Sequence, residues 1–181
     1  MNDDAVASGV FLDFDTVLLA MHRGRRGLEL GLQADLEESI ERLRQIAEAV
    51  VVLVDPPPLE GAHGRETERR LQVLREGLGP LAEELLIVTC PHGEDGSCSC
   101  AKPDAGLIEL AIGEHGLSRR AGWHIGADQE GVQAGRAAGL RTIRIGPVGA
   151  DHLSNVHRAD YEARDLLDAA NRIMLESLTL T

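Results

Sequence analysis

The sequence predicts an α/β protein in which an open, Rossmann-like parallel sheet is flanked by helices on both faces. Short runs of β-branched residues alternate with amphipathic segments along the chain, which is the pattern of strands joined by helices. Several runs are apolar without a break, as strands covered on both sides are. With aromatic residues at only 2%, the core must be aliphatic. A chain of 181 residues suits a single domain over 1–181.

The first half of the chain supplies three predicted strands and two predicted helices. Residues 10–14 form the first strand and end in carboxylates. After Asp35, apolar residues at spacings of three and four predict a helix with one buried face: Leu36, Ile40, Leu43, Ala47 and Val50. The apolar run 50–54 predicts a strand that three prolines at 56–58 end, because proline has no amide hydrogen for a sheet. A charged helix at 65–77 and a strand at 85–89 follow.

The second half continues the alternation. We predict a helix at 104–115, a strand at 122–125, a helix at 129–138 closed by Gly139, a strand at 142–145 and a final helix at 161–174. In open parallel sheets the ligand lies beyond the carboxyl ends of the strands, so functional residues are expected there.

Charge and hydropathy exclude several classes of partner. The net charge of −12 disfavours a nucleic-acid surface, which needs a basic face. A basic cluster with Arg23, Arg25 and Arg26 could bind an anionic substrate locally, or could be a solvated loop. No apolar run approaches the roughly 20 residues that span a bilayer, and the start lacks the pattern of a signal peptide. We therefore expect a cytoplasmic protein without a membrane partner.

The loop 90–100 contains the clearest metal pattern. Cys90, His92, Cys98 and Cys100 offer three thiolates and one imidazole, a closed tetrahedral set for Zn²⁺ that leaves no position for water. The predicted zinc is therefore structural. The intervening residues 93–97 are glycine-rich and polar, so a metal would hold a loop that the core cannot.

Two further groups suggest phosphate chemistry. Asp13 and Asp15 stand two residues apart at the end of the first predicted strand, where one could attack phosphorus and the other act as a general acid and base. A capping role is the structural alternative for such aspartates. Lys102, just before a predicted helix, could neutralise a phosphoryl group during its transfer.

In this order, these residues resemble the haloacid dehalogenase superfamily, and within it the zinc-loop phosphatases of histidinol phosphate and heptose bisphosphate. The resemblance covers roughly 10–146. Its most specific part runs from Cys90-Pro91-His92 through Cys98-Ser99-Cys100-Ala101-Lys102-Pro103. The glycine and alanine framework of 126–142 is also similar to the last motif region of that superfamily.

The resemblance implies a capless fold and a Mg²⁺-dependent hydrolase of a small phosphomonoester, such as a sugar phosphate or a compound like histidinol phosphate. Asp13 would form an aspartyl-phosphate, Asp15 would protonate the leaving oxygen and then activate water, and Lys102 would steady the phosphoryl oxygens. Magnesium would be held by Asp13, by the backbone carbonyl of Asp15 and by Asp128. Asp128 would have to substitute for an acid that the superfamily carries one residue away, and Glu130 is the other nearby candidate. The partner would be a small phosphorylated metabolite.

The sequence also departs from that pattern. The superfamily's two metal-supporting acids fall on Ala127 and Gly131, its phosphate-binding hydroxyl falls on Val54 or Asp55, and the arginine before the lysine is Ala101. One reading is a phosphatase with residual or unusual activity, which we favour because Asp13, Asp15 and Lys102 are hard to retain by chance. The alternative is a catalytically degenerate member that binds a ligand or protein partner, or a zinc-stabilised interaction module.

Overall fold

The computed structural model describes residues 8–14, 18–24, 27–55, 63–91, 98–146 and 158–179. Eight strands lie in these ranges: β1 Ser8–Asp13, β2 Leu19–Gly24, β3 Gly27–Leu32, β4 Ala49–Val54, β5 Leu86–Thr89, β6 Ser118–Gly126, β7 Arg141–Ile145 and β8 Tyr161–Ala163. Five α-helices accompany them: α1 Leu36–Ile46, α2 His63–Leu78, α3 Gly106–His115, α4 Gln129–Ala137 and α5 Leu166–Thr179. A 3₁₀ segment, Gly79–Glu84, joins α2 to β5.

Six strands form one parallel sheet in the order β5-β4-β1-β6-β7-β8. The central strand is β1, from which the chain builds first toward β4 and β5 and later toward β6, β7 and β8. The ends of β4 and β6 therefore flank the end of β1, where Phe11 lies opposite Val51 and His124. This reversal of strand order creates the crevice where ligands bind in open α/β sheets.

Helices cover both faces of the sheet, which confirms the predicted fold class. Alternate strand residues such as Val10 and Leu12 belong to a core with apolar side chains of α1, α2 and α5. Phe11 and Leu53 belong to a second core with residues of α3 and α4. Because strand side chains alternate between faces, Asp13 lies on the same side as Phe11, toward α3 and α4.

The predicted helix at 161–174 is wrong at its start. Tyr161–Ala163 instead forms β8, which pairs with β7 at the edge of the sheet. The helix begins later because the Asp165 carboxylate accepts a hydrogen bond from the Asp168 backbone amide, at 2.8 Å, and so caps α5. Similarly, α1 ends at Ile46, and Val50 belongs to β4 rather than to the helix.

The region of the basic cluster also differs from a simple loop. β2 and β3 pair in antiparallel register as a separate two-stranded sheet, with Arg23 opposite Leu28. Leu18 and Leu19 are buried in the core shared with α1 and α2, which anchors the start of this hairpin. In the described parts of the chain, none of the helices combines the length and apolarity that crossing a bilayer requires.

Candidate active site

Asp13 ends the central strand and is the deepest polar group of the site. It is 2% exposed, although aspartate is almost never buried without partners. One carboxylate oxygen, Oδ2, lies 3.2 Å from the Lys102 ammonium nitrogen, and the other, Oδ1, lies 3.0 Å from His124 Nε2. Both oxygens thus face nitrogen groups, as a buried carboxylate requires.

Lys102 reaches Asp13 from a loop that is tied down by its own backbone. The Asp104 amide donates to the Ala101 carbonyl at 3.1 Å, and the Gly106 amide donates to the Ser99 carbonyl at 3.0 Å. A side chain at Gly106 would meet the Ser99 carbonyl oxygen at 2.4 Å, so glycine permits the close approach of this loop to α3. The turn therefore presents Lys102 to an aspartate that is 89 residues away in sequence.

The electrostatics favour a charged pair. Burial alone would raise the pKa of Asp13, but His124 and Lys102 outweigh it and hold that pKa below its ordinary value. Burial would lower the pKa of Lys102, but Asp13, Asp55 and Asp128 raise it well above its usual range. At neutral pH the site therefore presents an ionised carboxylate against an ammonium group.

His124 contacts Asp13 but was not among the predicted site residues. It lies in β6, is completely buried, and its Nε2 must carry the hydrogen because an ionised carboxylate only accepts. A side chain at Gly135 of α4 would meet the His124 ring at 2.8 Å, so this glycine makes room for the imidazole. The available signal was a histidine in an apolar strand, two residues before Gly126.

Two more aspartates surround the ammonium group. Asp55, which follows β4, has an oxygen 3.0 Å from Lys102 Nζ, and Asp128, which follows β6, has one at 3.8 Å. Asp55 is one of the two positions where the superfamily's phosphate-binding hydroxyl is missing, and in the structure it pairs with the lysine expected to attract a phosphate. The other oxygen of Asp128 accepts from the Gly131 amide at 2.7 Å and caps α4.

The described residues around Asp13 do not fit a magnesium ion. Mg²⁺ needs near-octahedral oxygen ligands at about 2.0–2.1 Å. The oxygens of Asp13 face nitrogen groups instead, Ala127 and Gly131 lack side-chain donors, and Asp128 divides its oxygens between a helix cap and Lys102. Within the described ranges, three cysteines are the sole set of three or more ligand side chains close enough to share an ion.

Those three cysteines form a candidate metal site next to Lys102. The sulfur atoms of Cys90, Cys98 and Cys100 all lie within 4.8 Å of one another, with Cys90 and Cys98 at 3.3 Å. Zn–S bonds of about 2.3 Å in a tetrahedron imply sulfur separations of about 3.8 Å, which these positions approach. Burial and the sulfur atoms of Cys98 and Cys90 raise the pKa of Cys100 to about 12, and a bound cation would offset this cost. The cluster could therefore hold a metal ion.

Several predicted site residues lie outside the described residues. They are Asp15, Arg25, Arg26 and His92. The backbone of Arg23 belongs to β2, but the position of its side chain is not described. Of the predicted catalytic residues, the structure thus brings together Asp13 and Lys102.

The sequence is similar to curated bacterial proteins. A curated D-glycero-beta-D-manno-heptose-1,7-bisphosphate 7-phosphatase of Pseudomonas aeruginosa is 32% identical over 120 residues. The match covers 60% of this chain and 62% of that protein, so less than two thirds of the relative's length is represented. No protein-family model matches the chain.

Solved structures share the fold over most of the chain. The D,D-heptose 1,7-bisphosphate phosphatase of B. bronchiseptica, complexed with magnesium and phosphate, superposes with a TM-score of 0.67 at 19% identity, covering 93% of this chain and 99% of that one. A 2-haloacid dehalogenase of Pseudomonas syringae superposes with a TM-score of 0.58 at 17% identity, covering 82% of this chain and 55% of that one.

Proposed function

We propose that the chain is a phosphatase of the haloacid dehalogenase superfamily that hydrolyses a small phosphorylated sugar. The observation that carries this proposal is the buried Asp13–Lys102 pair at the carboxyl end of the central strand. It combines an ionised carboxylate with a fixed ammonium group at the ligand-binding edge of the sheet. The heptose bisphosphate phosphatases among the relatives support a sugar phosphate over histidinol phosphate.

Asp13 serves as the nucleophile in this proposal. Its Oδ2, on the Lys102 side, forms a bond to phosphorus while the bond between phosphorus and the sugar oxygen breaks. Asp15, whose role is carried over from the resemblance, gives its proton to the sugar oxygen. It then takes a proton from the water that attacks phosphorus, and the bond from phosphorus to Asp13 breaks. Inorganic phosphate leaves and Asp13 is restored.

Lys102 supplies positive charge where the phosphoryl oxygens gather. A fixed ammonium group in a dry site stabilises developing negative charge without reorganising during the reaction. Its nitrogen is held by three carboxylates. Asp13 is buried and Asp128 caps α4, so Asp55, which is 34% exposed, is the one that a phosphate would displace. Arg23, Arg25 and Arg26 are proposed as contacts for the remainder of the substrate.

We further propose that the cysteine cluster binds structural zinc, with His92 as the fourth ligand. The role of the ion is to hold the loop that carries Lys102, since Cys100 precedes that lysine by two residues. The short separation of the three sulfur atoms and the burial of Cys100 support this placement. A closed set of four ligands leaves no open position for substrate, so the zinc takes no chemical part.

The deciding experiment is a phosphatase screen of the wild type and Asp13→Asn over sugar phosphates, sugar bisphosphates and histidinol phosphate. We expect release of phosphate from a sugar phosphate by the wild type, and loss of that activity in the variant, because an amide is a poor nucleophile toward phosphorus. Ser39→Ala, which changes a buried hydroxyl on α1, is the matched control and should leave the activity intact.

If the wild type and Asp13→Asn are equally inert across that screen, the phosphatase proposal fails. The alternative of a catalytically degenerate protein that binds a ligand or partner would then take its place. Nothing in the comparisons favours that alternative, since the named sequence relative is an enzyme.

A further inference from the structure

His124 is the polar group in contact with Asp13 that the proposed mechanism leaves unused. Its Nε2 lies 3.0 Å from Asp13 Oδ1, and the two side chains are 1% and 3% exposed. Water therefore does not screen this contact, and a hydrogen bond to a charged group in such surroundings is among the stronger ones.

The imidazole is costly to keep at this position. Its other nitrogen, Nδ1, is buried without a hydrogen-bond partner among the described residues. An unpaired buried polar atom costs about 1–3 kcal/mol. The ring also restricts position 135 to glycine, since a Cβ there would lie 2.7 Å from His124. The one hydrogen bond gained in return goes to Asp13.

The same geometry leaves little place for a divalent cation on Asp13. His124 donates a hydrogen bond to Oδ1 of Asp13, and the Lys102 ammonium group contacts Oδ2. Oδ2 also fills the space where side chains at Gly126 and Gly131 would project, because Cβ atoms at these positions would lie 2.6 Å and 2.4 Å from it. No acidic side chain can therefore join Asp13 from residue 126 or 131 without moving it.

We propose that His124 is a positioning residue that, together with Lys102, replaces a divalent cation beside Asp13, so that the site engages phosphate without magnesium. This inference rests on the proposed function for the role of Asp13 as nucleophile. His124 fixes Oδ1, which turns Oδ2 toward Lys102 and an arriving phosphorus atom. Lys102 supplies the positive charge that offsets the repulsion between the Asp13 carboxylate and an anionic phosphate.

The metal half of the proposal is tested by binding, independently of turnover. Zinc-loaded wild type and Asp13→Asn are titrated with Mn²⁺, and free Mn²⁺ is measured by electron paramagnetic resonance. We expect no Mn²⁺ site that depends on Asp13. We also expect the Kd for inorganic phosphate, measured by calorimetry, to change by less than about 2-fold when Mg²⁺ is added, since Lys102 and His124 already meet both oxygens.

One Mn²⁺ bound per wild-type chain and lost in Asp13→Asn would overturn the proposal. So would phosphate binding that appears only with Mg²⁺, or no phosphate binding under either condition. If phosphate binds without Mg²⁺ but no phosphoester is hydrolysed, the phosphatase proposal fails while the inference about the site stands. The two failures are thus distinguishable.

The positioning half is tested with His124→Leu and His124→Gln. The leucine variant removes the unpaired Nδ1 but also leaves Asp13 Oδ1 without its donor. Its kcat, measured on the folded protein, should fall about 10- to 100-fold with KM little changed, as for a misplaced nucleophile. Glutamine can still donate to Asp13 and should restore part of the rate. A leucine variant with wild-type kcat would overturn this role, as would a purely structural result in which stability and activity fall together and glutamine restores neither.

Discussion

Replacing Asp55 with asparagine should strengthen the binding of inorganic phosphate. Asp55 is an acidic partner of Lys102, at 3.0 Å, in the crevice where a phosphate must approach. Asparagine keeps the shape of the side chain and removes its charge. The substitution therefore frees the ammonium group from one anionic competitor and removes one source of repulsion toward phosphate.

The size of the effect follows from the distances and the exposure. Two unit charges about 6 Å apart interact by about 2.8 kcal/mol at an effective dielectric constant of 20, and by about 0.7 kcal/mol in bulk water. The side chain of Asp55 is 34% exposed, which places it nearer the screened value. We expect a gain of about 1 kcal/mol in binding free energy, or about 5-fold in Kd.

Calorimetric titration of inorganic phosphate into the wild type, Asp55→Asn and Glu84→Gln measures this effect. Glu84 pairs with Arg44 at 2.8 Å at the opposite edge of the sheet, so its variant loses a comparable surface ion pair without changing the crevice. The control should bind phosphate as the wild type does. Equal or weaker binding by Asp55→Asn would refute the idea that Lys102 exchanges Asp55 for a phosphate.

Two further predictions concern stability. Cys98→Ser should abolish stoichiometric zinc in metal analysis and lower the Tm, while the control Ser99→Ala should do neither. Losing an ion that is present at a hundred times its Kd lowers the free energy of unfolding by about 2.7 kcal/mol. For a chain of this size, that corresponds to a fall in Tm of about 5–10 °C. Gly131→Ala should lower the free energy of unfolding by about 1–3 kcal/mol in denaturant titrations, because its Cβ would lie 2.4 Å from Asp13 Oδ2. Gly113→Ala, in a helix and with open space around the added Cβ, should raise that free energy by about 0.5–1 kcal/mol. A zinc-free variant with wild-type Tm, or two alanine variants with the same sign, would contradict these expectations.

The sheet was predictable because its strands carry their own signal. The run Ala49–Val54 is buried from its second residue onward, and continuous apolar runs of that length belong in parallel sheets with helices on both faces. The general rule for such sheets also placed Asp13 and Lys102 at one edge, although they are distant in sequence.

His124 was not predictable because its role depends on strand register. In the sequence it is a lone histidine within an apolar stretch, a pattern equally typical of a buried, hydrogen-bonded histidine with no functional role. Only the parallel pairing of β6 with β1, with Phe11 opposite His124, brings the imidazole beside the side chain of Asp13. Parallel register is a long-range property that local patterns do not carry.

The start of α5 was mispredicted for a related reason. Tyr161–Ala163 is compatible with a helix by composition, but it forms a strand because it pairs with β7 in the sheet. The Tyr161 ring then packs 5.7 Å from Trp123 and 4.8 Å below the guanidinium of Arg172. These tertiary contacts outweigh a weak local preference.

The most direct measurement of the central claim is the trapping of a phosphorylated Asp13. Zinc-loaded wild type is mixed with the best sugar phosphate from the screen, quenched in acid within one turnover and digested, and the peptide that contains Asp13 is examined by mass spectrometry. We expect that peptide to gain the mass of one phosphoryl group, and Asp13→Asn to show none. Hydrolysis of the substrate without any phosphorylated Asp13, at times when turnover is under way, would contradict the proposed nucleophile and the function built on it.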